Sequence, residues 1–141
     1  VFDPQEIATV DELLNDFFTQ GAEASGYWFI TCRDENGVAG FACYGPRPLT
    51  QGAFDLYWIA ADPRCQGQGV GARLLERVCR GVSALGGYLL IVETSGRTDY
   101  TPARRFYESH HFDLAAHIRD FYAPGDDLMM YVLRLSENQE K

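Results

Sequence analysis

Residues 59–75 join a short apolar run to a glycine-rich turn and then to an amphipathic stretch, and this segment constrains the fold more than any other. Glycine recurs at alternate positions of the turn, at Gly67, Gly69 and Gly71. Because glycine lacks a Cβ atom, the backbone can bend sharply and bring its N–H groups against an anion. The first turn of the following helix adds unpaired donors and the positive end of its dipole. The segment therefore predicts a phosphate-binding turn between a strand and a helix.

Several classes of cofactor site use such a turn, and the spacing distinguishes among them. A P-loop requires a Gly-Lys-Ser/Thr ending, and the chain contains no Gly-Lys dipeptide. The dinucleotide fingerprint fits better, because Gly67, Gly69 and Ala72 match it and Glu93 follows roughly twenty residues later. In a Rossmann unit, however, the strand runs straight into the first glycine, whereas here residues 62–66 intervene. A turn with a purely structural role is the remaining alternative.

The whole segment resembles motif A of the GNAT superfamily, the acyl-CoA-dependent N-acyltransferases. The family pattern Gln/Arg-x-x-Gly-x-Gly/Ala matches residues 66–71 at each fixed position. Residues 56–63 look like the family's fourth strand and its exit, and residues 103–112 look like its late helix, which usually ends in Phe-Tyr-Glu-x-x-Gly-Phe. Two motifs in the right order make the resemblance much more specific than either motif alone.

Bulk properties are those of a globular enzyme, and we expect residues 1–141 to form a single GNAT-like acetyltransferase domain. Hydrophobic residues make up 46% of the chain and charged residues 23%, which is ordinary for such a domain. No run of eighteen apolar residues occurs, so no membrane association is predicted. The net charge of −8 argues against a nucleic-acid partner and favours a cationic acceptor.

The four cysteines show neither a Cys-x-x-Cys pair nor a histidine spacing that suits zinc. They are Cys32, Cys43, Cys65 and Cys79. We interpret them as reduced thiols of a cytoplasmic protein and expect no metal site. No signal peptide is visible, although the chain begins at Val1 without a methionine.

The periodicity of apolar residues predicts the order of the elements. A helix is expected to start at Asp3-Pro4, followed by a hairpin over residues 27–44 and a strand over residues 54–60. A helix over residues 70–85, a strand buried on both faces over residues 88–93 and a helix over residues 101–109 come next. The closing strands are expected at residues 112–119 and 128–135. This order requires a mixed sheet. The predicted fold class is α/β (α+β): a GNAT fold with a mixed, mostly antiparallel sheet flanked by helices, its first strand missing or upstream of Val1.

The resemblance implies that acetyl-CoA is the co-substrate. In the family, the fourth and fifth strands splay apart, and the pantetheine arm of acyl-CoA inserts between them and pairs with the backbone of the fourth strand. That segment corresponds here to Ile59, Ala60 and Ala61. The pyrophosphate would lie on the main-chain N–H groups of Gly67, Gln68, Gly69, Val70, Gly71 and Ala72, with Gln66 at the edge of the site.

Three residues match positions with catalytic roles in the family. Tyr107 matches the tyrosine of the late helix, and a phenol with a reference pKa near 10 stays protonated at neutral pH and can donate to the departing sulfur. Packing beside Phe106 is its alternative role. Glu93 and Asp55 match strand positions where the family often has a carboxylate facing the acceptor. Either could act as the base through a water molecule, and a solvated acid is the alternative for both.

The chain departs from the family pattern at two positions around the late helix. The asparagine that often precedes this helix and contacts the cofactor is Tyr100 here. The glycine near its end is His111, which can adopt a left-handed conformation only with some strain.

The segment 120–127, which connects the closing strands, is the best indication of the acceptor. Its aromatic pair and its carboxylates suit an ammonium group, so Tyr122 and Asp126 are candidate substrate-binding residues. The segment is similar to the Tyr-Tyr-Pro and acidic stretch of ribosomal-protein N-terminal acetyltransferases. A solvated hairpin with Pro124-Gly125 as its turn is the alternative.

The resemblance implies an acetyl-CoA-dependent N-acetyltransferase whose acceptor is a small primary amine, an amino acid or a peptide N-terminus. A non-catalytic acyl-CoA-binding sensor is the alternative, and a nucleotide-dependent oxidoreductase is the third reading. In this family the closing strands often mediate homodimers, so a homodimer is a further expectation.

Overall fold

The computed structural model describes residues 26–35, 37–65 and 67–135. In chain order, the strands are β1 (Trp28–Asp34), β2 (Gly37–Pro46), β3 (Ala53–Ala61), β4 (Leu89–Ser95), β5 (Asp113–Ala123) and β6 (Asp126–Arg134), and the helices are α1 (Val70–Ala84) and α2 (Thr101–Ser109). Short 3-10 helices, Pro63–Cys65 and Thr98–Tyr100, precede the two helices. The helix expected at Asp3 and the question of a first strand lie outside the described residues.

The described strands form one sheet in the order β1-β2-β3-β4-β6-β5. The neighbours β3 and β4 are parallel, whereas the other four pairs are antiparallel. Helix α1 connects β3 to β4, as a parallel pair requires, because its two strands cannot be joined by a tight turn. The predicted mixed, mostly antiparallel sheet flanked by helices is therefore confirmed.

Helix α1 covers one face of the sheet and contacts β1, β2 and β3. Its apolar stripe is buried and consists of Val70, Leu74, Leu75, Val78 and Val82. Each such side chain contributes about 1.5–3 kcal/mol when fully buried. The helix ends at Ala84, shortly before the left-handed Gly86, whose φ is 86°, and the Gly87 N–H donates to the Val82 carbonyl oxygen at 2.8 Å. The predicted bounds of this helix are correct to within one residue.

Strand β3 contains an extra residue, Tyr57, relative to its partner β2. Tyr44 pairs with Leu56, and Cys43 pairs with Trp58, so that Tyr57 has no opposite residue. Phe54 and Leu56 face the helix side before this β-bulge, and Ile59 and Ala61 face it afterwards. A bulge bends its strand and increases the local twist.

Pairing between β3 and β4 stops next to this bulge. The last parallel pair in the described register joins Asp55 to Ile91. Among the described strands, residues 56–61 of β3 then pair only with β2, and residues 92–95 of β4 pair only with β6. We call the resulting opening between these two segments the β3–β4 gap.

The prediction that the fifth predicted element, strand β4, is buried on both faces is wrong. Leu90 and Val92 are buried in the core with the helices, but Leu89 and Ile91 are half-buried and Glu93 is exposed. Successive side chains of a strand point to opposite faces. The face of β4 that carries Glu93 is therefore the polar one.

The closing strands extend further than predicted. Ala123 pairs with Asp126, so the connection between β5 and β6 consists of Pro124 and Gly125 alone, with a φ of 81° at Gly125. The predicted connection 120–127 is therefore mostly strand. Asp120, with a φ of 56°, interrupts the ladder, and its carboxylate accepts the Gly125 N–H at 2.8 Å.

No helix in the described part of the chain has the length and apolar character needed to cross a membrane. All four cysteines are unpaired thiols. The described His, Cys, Asp and Glu side chains include no group of three or more that could hold a metal ion.

Candidate active site

The described part of the glycine turn, residues 67–71, runs into the first turn of α1, and two of its glycines are left-handed. Gly67 has a φ of 86°, and Gly69, the N-cap of α1, has a φ of 76°. A Cβ atom added at either position would meet no atom within 4 Å. The backbone conformation, rather than a lack of space, is therefore what requires glycine at these two positions. Gln66 lies outside the described residues.

Gly71 serves a different purpose, because it allows α2 to approach α1. A Cβ atom at this position would lie 3.0 Å from Cε1 of Phe106. The third glycine of the motif thus brings the helix of Tyr107 against the first turn of α1.

The first turn of α1 presents backbone N–H groups that no carbonyl oxygen of the described residues accepts. The Arg73 N–H donates to the Gly69 carbonyl oxygen at 3.1 Å and is the first to form a helical bond. Within the described residues, the N–H groups of Gly69, Val70, Gly71 and Ala72 donate to no backbone carbonyl. These donors and the helix dipole attract an anion. The Gln68 N–H, in contrast, already donates to the Cys65 carbonyl oxygen at 3.2 Å.

The end of β3 presents one edge to the β3–β4 gap. Ile59, Ala60 and Ala61 pair with β2 on their other side, opposite Ala42, Phe41 and Gly40. Their backbone groups on the gap side face no strand of the described sheet. An extended ligand with amide groups can therefore pair with this edge as an additional strand would.

Arg47, in the loop after β2, connects the two candidate bases. Its Nη1 donates to Oδ1 of Asp55 and to Oε1 of Glu93, at 2.9 Å in each case. These hydrogen bonds, first the one to Glu93 and then the one to Asp55, raise the pKa of the guanidinium. Asp55 and Glu93, which we call the acid pair, come from β3 and β4 where the two strands diverge.

The acid pair and Arg47 line an open pocket of about 160 Å³. Leu56, Tyr57 and Ile91 complete its lining. Burial and then the charge of Asp55 raise the pKa of Tyr57 to about 12. Its ring lies edge-on to that of Tyr27, with the ring centroids 5.4 Å apart. The pocket thus combines fixed charges with an aromatic wall.

Arg47 and Tyr57 are site residues that the sequence did not reveal. Arg47 lies in a proline-rich segment for which the sequence predicts only the end of a strand and a loop. One signal existed: two carboxylates on neighbouring strands repel each other unless a cation lies between them. The sequence predicts both members of the acid pair as candidate site residues, but it does not indicate which arginine binds them.

Tyr107 lies on α2, on the helix side of the sheet, and is only 7% exposed. Its ring contacts those of Phe106, Phe112 and Tyr131, with centroid distances of 5.7, 5.4 and 6.0 Å. Burial raises the pKa of its phenol to about 12. Its hydroxyl makes no hydrogen bond to the part of the chain that is described.

The acid pair lies on the opposite face of the sheet from Tyr107. Tyr107 shares the core with Val92 of β4, and strand alternation directs the next residue, Glu93, to the other side. No described contact joins Tyr107 to Asp55 or Glu93.

Tyr122 and Asp126 lie near the carboxyl end of β4. The Ser95 hydroxyl donates to Oδ1 of Asp126. Burial, followed by the charges of Glu93 and Asp126, raises the pKa of Tyr122. The structure thus brings Tyr122 into the electrostatic range of Glu93 and of Asp126, and both candidate acceptor residues lie in the closing strands rather than in the connection.

Two further features hold the start and end of α2. Nη1 of Arg104 donates to the carbonyl oxygens of Ser95 and Arg97, at 2.7 and 2.8 Å. At the other end, His111 has a φ of 72°, the left-handed conformation expected where the family has glycine. Helix α2 is thereby tied to the end of β4, close to the gap.

Comparisons with known proteins agree on one family. Residues 2–112 match the model of the acetyltransferase (GNAT) family. A GNAT-family protein from Desulfovibrio desulfuricans is 44% identical, and its structure superposes with a TM-score of 0.92 over 96% of this chain and 84% of that one. No curated protein shows significant sequence similarity to the chain.

Two more distant structures share the fold. The ribosomal-protein-S18-alanine N-acetyltransferase from Escherichia coli is 26% identical, with a TM-score of 0.68 over 86% of this chain and 76% of that one. YncA from Salmonella typhimurium, whose structure contains its cofactor acetyl-CoA, is 20% identical, with a TM-score of 0.72 over 90% of this chain and 74% of that one.

Proposed function

The chain belongs to the GNAT acetyltransferase family, and from this premise we propose that it transfers an acetyl group from acetyl-CoA to the nitrogen of a primary amine. The observation that best supports this proposal is the β3–β4 gap, which lies next to N–H groups at the start of α1 that donate to no carbonyl oxygen of the described residues. A strand edge without a partner and a helix N-terminus offer complementary sites for the amide-containing arm and the phosphates of one extended molecule.

The residues present fit acetyl-CoA. The N–H groups of Gly69, Val70, Gly71 and Ala72 would bind the pyrophosphate, and Ile59–Ala61 would pair with the pantetheine amides. The left-handed Gly67 and Gly69 keep this surface free of side chains. Bound in this way, acetyl-CoA supplies an activated acyl group as a thioester.

In the proposed reaction, the amine attacks the thioester directly. A neutral amine nitrogen forms a bond to the acetyl carbon, and the bond between that carbon and sulfur breaks with its electrons left on sulfur. The nitrogen then loses a proton to a base, and the sulfur gains one, so that the products are an amide and the free thiol. A base and a proton donor are therefore needed.

We assign to Tyr107 the hydrogen-bond donor at the departing sulfur, and water then supplies the proton of the free thiol. Its phenol stays protonated at neutral pH because burial raises its pKa, and its hydroxyl is uncommitted to the described residues. A sulfur reaching the helix side of the gap would meet it there.

The acid pair supplies the base. Both carboxylates share one nitrogen of Arg47, and the second oxygen of each accepts no hydrogen bond from a described residue. Either second oxygen can take the amine proton, directly or through a water molecule. Tyr122 and Asp126 would border the acceptor at the end of β4.

The test is thiol release from acetyl-CoA in the presence of a panel of primary amines, with the acetylated product identified by mass spectrometry. We expect turnover with at least one amine and none with the matching alcohols. Stabilisation by acetyl-CoA without turnover on any amine would contradict an enzyme and favour the sensor. Stabilisation by NAD(H) instead of acetyl-CoA would favour an oxidoreductase.

A further inference from the structure

We propose that Arg47 binds the carboxylate of the acceptor, and that the acceptor is a free α-amino acid. This inference rests on the proposed acetyl transfer and specifies its substrate class. It is based on the arrangement of one guanidinium and two carboxylates in the open pocket, and on the groups that this arrangement leaves available.

The guanidinium is held by one nitrogen. Both of its hydrogen bonds, to Asp55 and to Glu93, leave from Nη1. Its Nε–H and its Nη2 group make no hydrogen bond to the described residues, and 38% of the side chain is exposed. Two parallel N–H donors on one edge of a planar guanidinium match the two oxygens of a carboxylate.

The acid pair keeps acceptor capacity in the same pocket. Oδ2 of Asp55 and Oε2 of Glu93 have no described donor, although their other oxygens are bound to Arg47. The side chains of these residues are 12% and 33% exposed. An ammonium group beside the guanidinium-bound carboxylate could therefore donate to one of them.

The spacing of the charges suits a zwitterion. Because both acids contact the same nitrogen of Arg47, the positive and negative groups of the pocket lie side by side. An α-amino acid carries its ammonium and carboxylate on one carbon atom, so it can pair with both signs at once. A simple amine would leave the guanidinium edge without a partner, and a peptide N-terminus would present a neutral amide oxygen to it.

The first arm of the test compares acceptors that differ only at the carboxylate. Each of the twenty L-amino acids is assayed beside its C-terminal amide, which keeps the amine and the side chain. For the preferred side chain, we expect kcat/KM of the acid to exceed that of the amide at least about tenfold, as expected for a charge-assisted bidentate pair.

The second arm tests Arg47 itself. Arg47→Gln should lower the ratio of kcat/KM for the amino acid to kcat/KM for its amide at least about tenfold, because only the acid loses a charged partner. Arg47→Lys keeps the charge but not the two parallel donors, so its ratio should fall between those of the wild type and Arg47→Gln. Arg80→Gln is the matched control, since Arg80 forms an exposed ion pair with Glu76 on α1. It should leave both rates unchanged. Equal losses for acid and amide in Arg47→Gln would indicate a structural role and overturn the proposal.

The outcomes separate this inference from the proposed function. Acetylation of amines irrespective of a carboxylate would overturn the amino-acid assignment and leave the acetyltransferase standing. If no amine is acetylated, the amino-acid site can still be tested by binding. The CoA-saturated protein is titrated with each amino acid, and binding is measured by ligand-observed NMR. Binding that Arg47→Gln abolishes supports the site, and the absence of binding by all twenty contradicts it.

Discussion

Tyr107 is a weak acid in its buried position, since burial raises the pKa of its phenol to about 12. The reference pKa of a cysteine thiol is near 8.5, so complete transfer of this proton to a thiolate would be unfavourable. A hydrogen bond from the phenol to the sulfur is sufficient, because it stabilises negative charge as the bond to the acetyl carbon breaks. The proposed role therefore requires the hydroxyl in position rather than its ionisation.

We expect Tyr107→Phe to lower kcat about 10²-fold, the lower part of the range for general acids. The KM for acetyl-CoA should change little, because the assigned CoA contacts are main-chain groups of other segments. The raised pKa keeps the wild-type phenol protonated to about pH 12, so the pH dependence of kcat below pH 10 should have the same shape in both proteins. Steady-state kinetics across that range measures both quantities.

Tyr131→Phe is the control for packing in the same aromatic cluster. Tyr131 is buried against Tyr107, and its hydroxyl donates to Oε2 of Glu108 at 2.8 Å. The kcat of the Tyr131→Phe variant should stay near that of the wild type. Equal kcat values for Tyr107→Phe and the wild type would remove Tyr107 from the mechanism.

Single residues also show where prediction from the sequence stops. The positions of Tyr107, Asp55 and Glu93 could be named because they lie in motifs or strands with a local pattern. Arg47 could not, since its partners are 8 and 46 residues away along the chain, and no periodicity records such a pairing. Their roles, in contrast to their positions, remain predictions.

Helix α1 lies unusually close to β2 at Gly81. A Cβ atom at this position would overlap the hydroxyl of Tyr44, and both residues belong to a tightly packed layer in which Val78 and Val82 are fully buried. Glycine within a helix normally costs about 1 kcal/mol relative to alanine. Here the close approach of the helix outweighs that propensity.

We expect Gly81→Ala to destabilise the protein, although alanine is the better helix former. Overpacking costs about 1–3 kcal/mol, which exceeds the gain in helix propensity. Tyr44→Phe removes the overlapping oxygen, so the double variant should recover much of the loss. Chemical denaturation of the two single variants and the double variant gives the coupling free energy. Additive effects would contradict the proposed contact.

Elements with local boundary signals were predicted well. Helix α1 is bounded by glycines, and α2 begins at Thr101-Pro102, so both were located to within a residue. The closing strands were not, because their length is decided by pairing across the hairpin, as at Ala123 and Asp126. Burial of β4 was also predicted wrongly, since an apolar sequence does not reveal that Ile91 and Glu93 line a pocket.

At the scale of the whole molecule, bound acetyl-CoA would contact the sheet and both helices at the same time. The proposed binding contacts lie on the first turn of α1 and on the end of β3, and the sulfur would lie beside Tyr107 of α2. A ligand that binds only the native state stabilises it by about 2.7 kcal/mol at a concentration of 100 times Kd. The effect should be visible in the global unfolding of the protein.

We expect saturating acetyl-CoA to raise Tm by about 5–10 °C, the shift that this free energy gives for a chain of this size. Gly69→Val should abolish the shift and raise the KM for acetyl-CoA about tenfold or more, because a β-branched residue strongly disfavours the φ of 76° at this position. Differential scanning fluorimetry and steady-state kinetics measure the two effects.

Gly69→Asn is the matched control, since asparagine tolerates a left-handed conformation. It should keep most of the shift if the backbone conformation alone matters. Loss of the shift in both variants would indicate that the phosphate occupies the space of a Cβ atom. A full shift in Gly69→Val would exclude the glycine turn as the binding site.

The β3–β4 gap depends on the extra residue in β3, so the loss of that one residue could turn a ligand-binding sheet into one without a binding site. A chain shortened by Tyr57 alone would keep Phe54, Leu56, Ile59 and Ala61 on the side they now face, because the alternation on either side of the bulge would join without a shift. Such a protein could retain its hydrophobic interior and its thermal stability while the ladder to β4 closed over its full length. The presence of this single residue would then determine whether the sheet has an opening for a ligand.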